Sequence, residues 1–396
     1  MNSPWPMVKL GEVLQPVSRP EIVDPLHTYR LLGAHWYAGG LYTKDVKLGS
    51  AVQAKWLYRV EEGDFVYNRL FAWKGSFALA AVDNAGCYVS NEFPCFVVRS
   101  DRVDARYLWR YFSRGSAWEE ALGLSTGGTP TSRNRLKEEK LLAMQIPLPP
   151  LAEQRRIVAR IEELATKIEK ARTFSRKAAD EADMLLNTAR RTTIAECDSQ
   201  TVPLECVCVA IIDNLHSNPR LSETGIPCVR SPDVGYGTLE LDGAQRTDEE
   251  EYRRRTARGE PQADDIVLVR EGGGTGKCAV VAPGDKFSLG QRVMMLRPDK
   301  GRILPRFFLH QLLSPLVQSE QIGPLCKGSA SPHLNIGALK RFSFRLPTLS
   351  AQRRIVAELD GLQAKMDELK RLQAETAAEL DALLPSTLDR AFRGQL

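Results

Sequence analysis

Gln154-Arg155-Arg156-Ile157-Val158-Ala159 returns letter for letter as Gln352-Arg353-Arg354-Ile355-Val356-Ala357, 198 residues later in a chain of 396. The copies also open alike, Leu148-Pro149-x-Leu151 matching Leu346-Pro347-x-Leu349. The same offset pairs Leu164 with Leu362, Glu181 with Glu379, Asp183 with Asp381 and Leu185-Leu186 with Leu383-Leu384, without a gap. A period of half the chain is too long for a solenoid unit. It implies two similar halves, each a globular head followed by a helix.

The repeated segment has a heptad seam. In the first copy, apolar or small residues fall at Ile157, Ile161, Leu164, Ile168, Ala171, Ala178, Ala182, Leu185 and Ala189, with a miss at Ser175. The second gives Ile355, Leu359, Leu362, Met366, Leu369, Leu380 and Leu383, with Gln373 and Thr376 between. Each helix follows a proline-containing entry (Pro147, Pro149, Pro150; Pro347) that cannot lie in a helix interior, and Ser350 is a candidate N-cap for the second. A helix from Gln154 to Glu196 would run about 60 Å. Alone it would leave its seam in water, so the two are expected to pack on each other, the polar Gln373 and Thr376 fixing register. Such an arm is either a dimerisation element or a spacer between heads. The shared register and near-equal head lengths favour the spacer.

The boundaries follow: a first head over 1–150, a first arm over 151–198, a second head over 199–348, and a second arm with the C-terminal tail over 349–396. The fold class is α+β, two mixed heads on an antiparallel helical pair with an internal pseudo-two-fold repeat. No apolar run is long enough to span a bilayer, and no charged-then-apolar leader opens the chain, so a cytoplasmic protein is expected. The eight cysteines are scattered, Cys206-x-Cys208 is too close for a metal knuckle, and the five histidines are isolated, so no metal is expected. Net charge is +5. The first head carries 18 Lys/Arg against 15 Asp/Glu and the second 19 against 17. Any nucleic-acid face must therefore arise from local clustering.

Within the heads, Asp64–Tyr67 and Cys95–Val98 read as strands and Tyr107–Phe112 as a helix. In the second, Asp265–Val269, Arg292–Leu296 and Pro305–Leu313 repeat that order. The heads are diverged copies, much less alike than the arms, which suggests that they read different things. Glycine-bearing polar loops supply candidate DNA contacts: Gly40, Tyr42, Lys44, Arg69, Lys74, Thr129, Thr131, Ser132 and Arg133 in the first head, and Arg230, Ser231, Arg270, Thr275, Lys277, Lys327, Ser329, Ser331 and His333 in the second. Arg and Lys reach phosphates or guanine edges, hydroxyls reach bases or backbone, and glycine admits close approach. Gly272–Cys278 imitates a phosphate loop, but Glu271 stands where the leading glycine belongs and Cys278 follows the lysine. Asp248–Arg255 reads as a solvated helix with i,i+4 ion pairs rather than a basic patch. Gln154, Arg155, Arg156, Gln352, Arg353 and Arg354, at the arm entries, suit contact with a partner protein. No nucleophile–base arrangement and no paired-carboxylate core suggests chemistry, so no catalytic residue is expected.

The entry Pro147-Leu148-Pro149-Pro150-Leu151-x-Glu153-Gln154, with Gly63-Asp64-Phe65-Val66, Ser90-Asn91-Glu92-Phe93, Gly225–Arg230 and the tail Leu388–Leu396, resembles the specificity subunit of Type I restriction–modification systems over essentially the whole chain. The second entry departs at Thr348 and Ala351. The resemblance implies a non-catalytic reader of a bipartite DNA target whose arms set the unread gap. It also implies two methyltransferase subunits using S-adenosylmethionine, and a motor–nuclease subunit using ATP and Mg²⁺. A coiled-coil scaffold that binds only proteins, and a specificity module serving a single modification enzyme, stay open on the residues alone.

Overall fold

The computed structural model describes residues 4–127, 134–326 and 333–395. Two compact units form, one from residues 1–174 and 374–396, the other from residues 175–373.

The first head contains β1 (Met7–Lys9), β2 (Leu14–Val17), β3 (Pro20–Ile22), β4 (Thr28–Ala34), β5 (Leu41–Leu48), β6 (Trp56–Arg59), β7 (Phe65–Tyr67), β8 (Phe77–Leu79), β9 (Tyr88–Val89) and β10 (Cys95–Val98). Helices α1 (Ala105–Tyr111), α2 (Gly115–Leu124) and α3 (Glu138–Ala143) follow, then β11 (Gln145–Pro147) and the first arm, α4 (Leu151–Ala195). The second head contains β12 (Gln200–Pro203), β13 (Cys208–Asp213), β14 (Ile226–Val229), β15 (Arg246–Thr247), α5 (Glu249–Thr256), β16 (Ile266–Val269), β17 (Cys278–Val280), β18 (Ser288–Leu289) and β19 (Val293–Pro298). Then come α6 (Pro305–Leu313), helical turns over Pro315–Cys326, α7 (Ile336–Lys340), β20 (Ser343–Leu346) and the second arm, α8 (Leu349–Phe392).

The heads share a framework. Each has a four-stranded antiparallel sheet, ordered β2-β10-β7-β8 in the first and β13-β19-β16-β17 in the second, and a two-stranded closure, β1-β11 or β12-β20. The inner strands are continuous apolar runs buried on both faces, Phe65–Tyr67 and Ile266–Val269. The heads are thus far more alike in backbone than in sequence. They differ in the second sheet, five strands (β3-β6-β9-β4-β5) in the first head and three (β15-β14-β18) in the second.

The arms pack antiparallel within each unit. In the first, Arg172 pairs with Asp381 at 2.5 Å. Leu388, Ala391 and Phe392 enter the same core as Ile157, Val158 and Ile161. In the second, Lys370 meets Asp183 at 2.7 Å, Arg190 donates to Gln363 at 2.7 Å, and Ile194 shares a core with Ile355 and Leu359. Gln373 donates from Nε2 to the Ser175 carbonyl at 3.0 Å. Ser175 and Gln373 are equivalent positions of the two copies, so the polar pair registers the repeat on itself.

The seam departs from the heptad reading at one equivalent place in each copy. Leu185 and Leu383 are exposed, while Leu186 is buried and Leu384 packs against the first core. An α-helix drifts about 20° per heptad against a 3.5-residue repeat, so after four heptads the next residue faces inward. Thr348, rather than Ser350, caps the second arm, accepting from the Ala351 N–H at 3.3 Å. The Asp248–Arg255 segment is a helix with the expected i,i+4 pairs, Arg253 with Glu249 and Arg255 with Glu251, and is solvated on one face but buried on the other. Glu251 and Arg255 have fully buried side chains, paired at 2.7 Å through Glu251 Oε1, and Arg254 spans the carboxylate, its Nη2 2.6 Å from Oε1 and its Nε 2.8 Å from Oε2. Tyr252 on the same helix faces the interior and buries it.

Candidate nucleic-acid interface

The arm entries explain the repeated glutamines. Gln154 is fully buried: its Oε1 accepts from the Asp104 N–H at 2.7 Å, and its Nε2 donates to the Pro149 and Arg102 carbonyls at 2.7 and 3.1 Å. Gln352 repeats this with the Leu304 N–H at 2.7 Å and the Pro347 and Arg302 carbonyls at 3.0 and 2.9 Å. Each glutamine locks the first turn of an arm to the first turn of α1 or α6. Neither reaches a surface, so both leave the partner-contact set. Arg155, Arg156, Arg353 and Arg354 are exposed beside them.

In the first head a concavity of about 1040 Å³ opens between the second sheet and the turn after β7; Trp36, Tyr42, Lys44, Lys47, Asn68 and Glu92 line it. Tyr42 stacks on His35 with ring centroids 4.2 Å apart. The Lys74 ammonium sits 3.7 Å from the centroid of the Trp36 ring. Tyr37 and Ala38 both adopt left-handed backbone (φ 58° and 54°). That strain, on the order of 1–2 kcal/mol per residue, is held by bonds from their N–H groups to the Lys74 and Gly75 carbonyls at 2.8 and 2.7 Å. Of the expected residues, Tyr42 and Lys44 line this space, Lys74 borders it through Trp36, and Gly40 (φ 87°) makes the tight connection that leads into β5. The stretch Ala38–Lys44 was read as a loop, but from Leu41 it is strand. Arg69 is spent on the fold: it pairs with Glu138 and donates to the Asn91 carbonyl. Thr129, Thr131, Ser132 and Arg133 lie outside the described residues. His35, Trp36, Lys47, Asn68 and Glu92 were not among the expected DNA contacts, although Asn68 precedes the expected Arg69 and Glu92 lies in the Ser90–Phe93 motif; the nearest signal for the others was the aromatic pair Trp36-Tyr37 before the glycines.

In the second head, expected residues also gather. Ser231 packs under the Gly272–Lys277 turn, its Oγ 3.0 Å from where a Cβ on Gly274 would lie. The Thr275 hydroxyl donates to the Gly272 carbonyl at 2.7 Å, and Lys277 lies 5.9 Å from the Tyr236 ring. Arg230 follows β14 and half-buries beside Gly290. Arg270 is buried, bound to Asp213 at 2.5 Å and to His333 at 2.9 Å, so it supports the surface instead of forming it. His333 stays half-exposed, with Nδ1 2.9 Å from Glu271. Lys327, Ser329 and Ser331 lie outside the described residues.

Arg69 and Arg270 are framework equivalents, their carbonyls accepting from Leu136 and Leu334 at 3.0 and 2.8 Å. Among the described residues no three His, Cys, Asp or Glu side chains gather as metal ligands, and no helix is long and apolar enough to cross a membrane.

Fold and surface together define a class: a twice-repeated α+β head on a repeated helical arm, each head bearing a cluster of basic, aromatic and hydroxyl side chains on glycine-rich turns. A family model for the Type I restriction modification DNA specificity domain matches residues 2–174 and 258–378. The Escherichia coli Type I restriction enzyme EcoBI specificity subunit is 22% identical over 333 residues, covering 76% of this chain and 67% of its own length. The EcoKI specificity subunit of E. coli strain K12 is 21% identical over 328 residues, 76% of this chain and 68% of its own. The HsdS subunit of Thermoanaerobacter tengcongensis shares the fold with a TM-score of 0.63 at 23% identity, over 99% of this chain and 97% of that one. A chain from a structure of complex assembly and conformational transition in a type I R-M system gives a TM-score of 0.76 at 22% identity, over the whole of both chains. This chain belongs to the Type I restriction modification DNA specificity family. Its role is DNA specificity, and the protein-only scaffold falls away.

Proposed function

We propose that this chain reads a bipartite DNA target for a restriction–modification complex and performs no chemistry itself. The observation that carries the reading is one framework built twice with two different second sheets. A shared framework presents two heads to the same partners, while different sheets give each its own half-sequence. Two linked weak readers gain affinity through effective concentration when their spacing fits both half-sites, which makes the arms the ruler for the gap. Two methyltransferase subunits would dock on arms and heads, the exposed Arg155, Arg156, Arg353 and Arg354 among their contacts. They would flip an adenine and methylate it from S-adenosylmethionine. A motor–nuclease subunit using ATP and Mg²⁺ could join for cleavage, in the cytoplasm where the DNA lies. None of these cofactors is assigned to this chain.

The test is a base-resolution methylome of the source cells with and without the gene. Loss of one two-part methylated motif on deletion is expected. An unchanged methylome, together with no salt-sensitive duplex binding by the assembled complex, would overturn the reading.

A further inference from the structure

The β4–β5 ribbon is the part of the first head that has no full counterpart in the second. There β14 and β15 span only Ile226–Val229 and Arg246–Thr247, against Thr28–Ala34 and Leu41–Leu48 here. Strand β5 is exposed along most of its length, unlike the inner strands of either head. Its pairing is regular except at one point: Leu31 faces Asp45 and Leu32 faces Thr43, which leaves Lys44 as the extra residue of a bulge. A bulge re-aims a side chain and reverses the alternation beyond it. Gly33 faces Tyr42 and Tyr29 faces Lys47 across the ladder, so Tyr42 and Lys47 share a face despite their odd separation. Lys44, swung by the bulge, lines the same concavity. The Tyr42 ring needs the glycine opposite, since a Cβ on Gly33 would lie 2.7 Å from the tyrosine Cζ.

We infer that this ribbon is the base-reading element of the first head, entering the major groove of its half-site with Tyr42, Lys44 and Lys47 toward the base edges. The inference rests on the DNA-reading role proposed above. A two-stranded ribbon fits the major groove, the groove with a distinct donor and acceptor pattern for each base pair. What the bulge changes is the far half of the strand: it turns Asp45 and Lys47, paired at 2.8 Å, to the face of Tyr42, and Lys44 lines the same space. Trp36 lines the same concavity, and Lys74 sits over its ring, which keeps a cation beside the space.

The test uses the chain assembled with its methyltransferase subunits and a library of random duplexes, comparing the unaltered complex with Lys44→Ala, Lys47→Ala and Tyr42→Phe. All three positions are exposed, and phenylalanine keeps the ring against Gly33, so melting temperatures should be unchanged. Each variant should relax selection within one half-sequence, roughly ten- to hundredfold at one or two positions, and leave the other half-sequence and the gap intact. If all three variants select the same first half-sequence with undiminished preference, the inference is overturned while the bipartite reading stands. If the unaltered complex selects no two-part sequence, the functional reading falls and this inference falls with it.

Discussion

Gln154→Ala and Gln352→Ala should weaken the two units by the same amount, because the structure builds the same clamp twice. Each glutamine makes three internal hydrogen bonds and is fully buried. A hydrogen bond contributes about 1 kcal/mol net, and a buried donor left unpaired costs about 1–3 kcal/mol. The alanine leaves the Asp104 or Leu304 N–H without its acceptor and two carbonyls without a donor, for a loss of roughly 3–5 kcal/mol. Gln→Glu should cost more, because the carboxylate would face two carbonyl oxygens where the amide donated. Native-state hydrogen exchange at the Asp104 and Leu304 amides reads the effect locally, and each variant should accelerate its own amide at least about a hundredfold. A loss below about 1 kcal/mol at either site, or an effect at one glutamine and none at the other, would refute the twin-clamp reasoning.

Phe392→Ala should destabilise the first unit by about 3–5 kcal/mol and leave the second unchanged, since the end of α8 packs on Tyr107 and Tyr111 in the first core; unit-resolved exchange would show it. Glu251→Ala should cost about 3–5 kcal/mol by stranding buried Arg255, read as a lowered denaturation midpoint. His310, clamped between Asp360 at 2.7 Å and Arg190 at 3.3 Å, is held neutral, burial pushing it down to about 4 against the pull of Asp360. The unfolded histidine binds its proton near 6.5, so stability falls as pH drops through the window from 6.5 to 4, by at most about 3 kcal/mol. His310→Asn should flatten that part of the pH–stability curve, and an unchanged slope would count against the assignment. Inserting four residues after Thr173 in the first arm should change the preferred gap in a random-gap selection and leave both half-sequences as they were.

The arms were legible because a heptad seam is written in residue type and the repeat in identical letters. What misled was period: at Leu185 and Leu383 the sequence offers two adjacent leucines, and only the helix's own 3.6-residue turn decides which faces in. The heads were harder. Their common framework is carried by backbone pairing and buried apolar runs, which tolerate exchange of one apolar residue for another, so little letter-level similarity survives. Strand β5 was hidden because it is exposed on both faces and bulged at Lys44, which destroys the two-residue alternation that betrays a strand. Arg69 and Arg270 looked like contacts because arginine beside glycine is common to reading loops and to buttressed turns. Only their ion pairs, Arg69 with Glu138 and buried Arg270 with Asp213, separate the two uses.

The framework also shows where each head can change at little cost. Asp64 and Asp265 hold the same turn, each accepting from the backbone N–H three residues earlier at 2.9 Å. Each pairs with an arginine while nearly inaccessible, yet Arg19 comes from the β2–β3 connection and Arg297 from β19. The carboxylate is fixed because the turn needs it. The cation is not, because any guanidinium that reaches the site satisfies the charge. The second sheets follow the same logic on a larger scale. They lie outside the clusters that join arm to head: Leu32 of β4 and Val89 of β9 pack with Val66 and Cys95 of the framework sheet in a separate small cluster, and Tyr29 and Tyr88 form another with Leu57. A change in β5 therefore costs little of the stability that the glutamine clamps and main cores supply, and a reading surface can differ between heads while the part that partners and arms depend on stays the same.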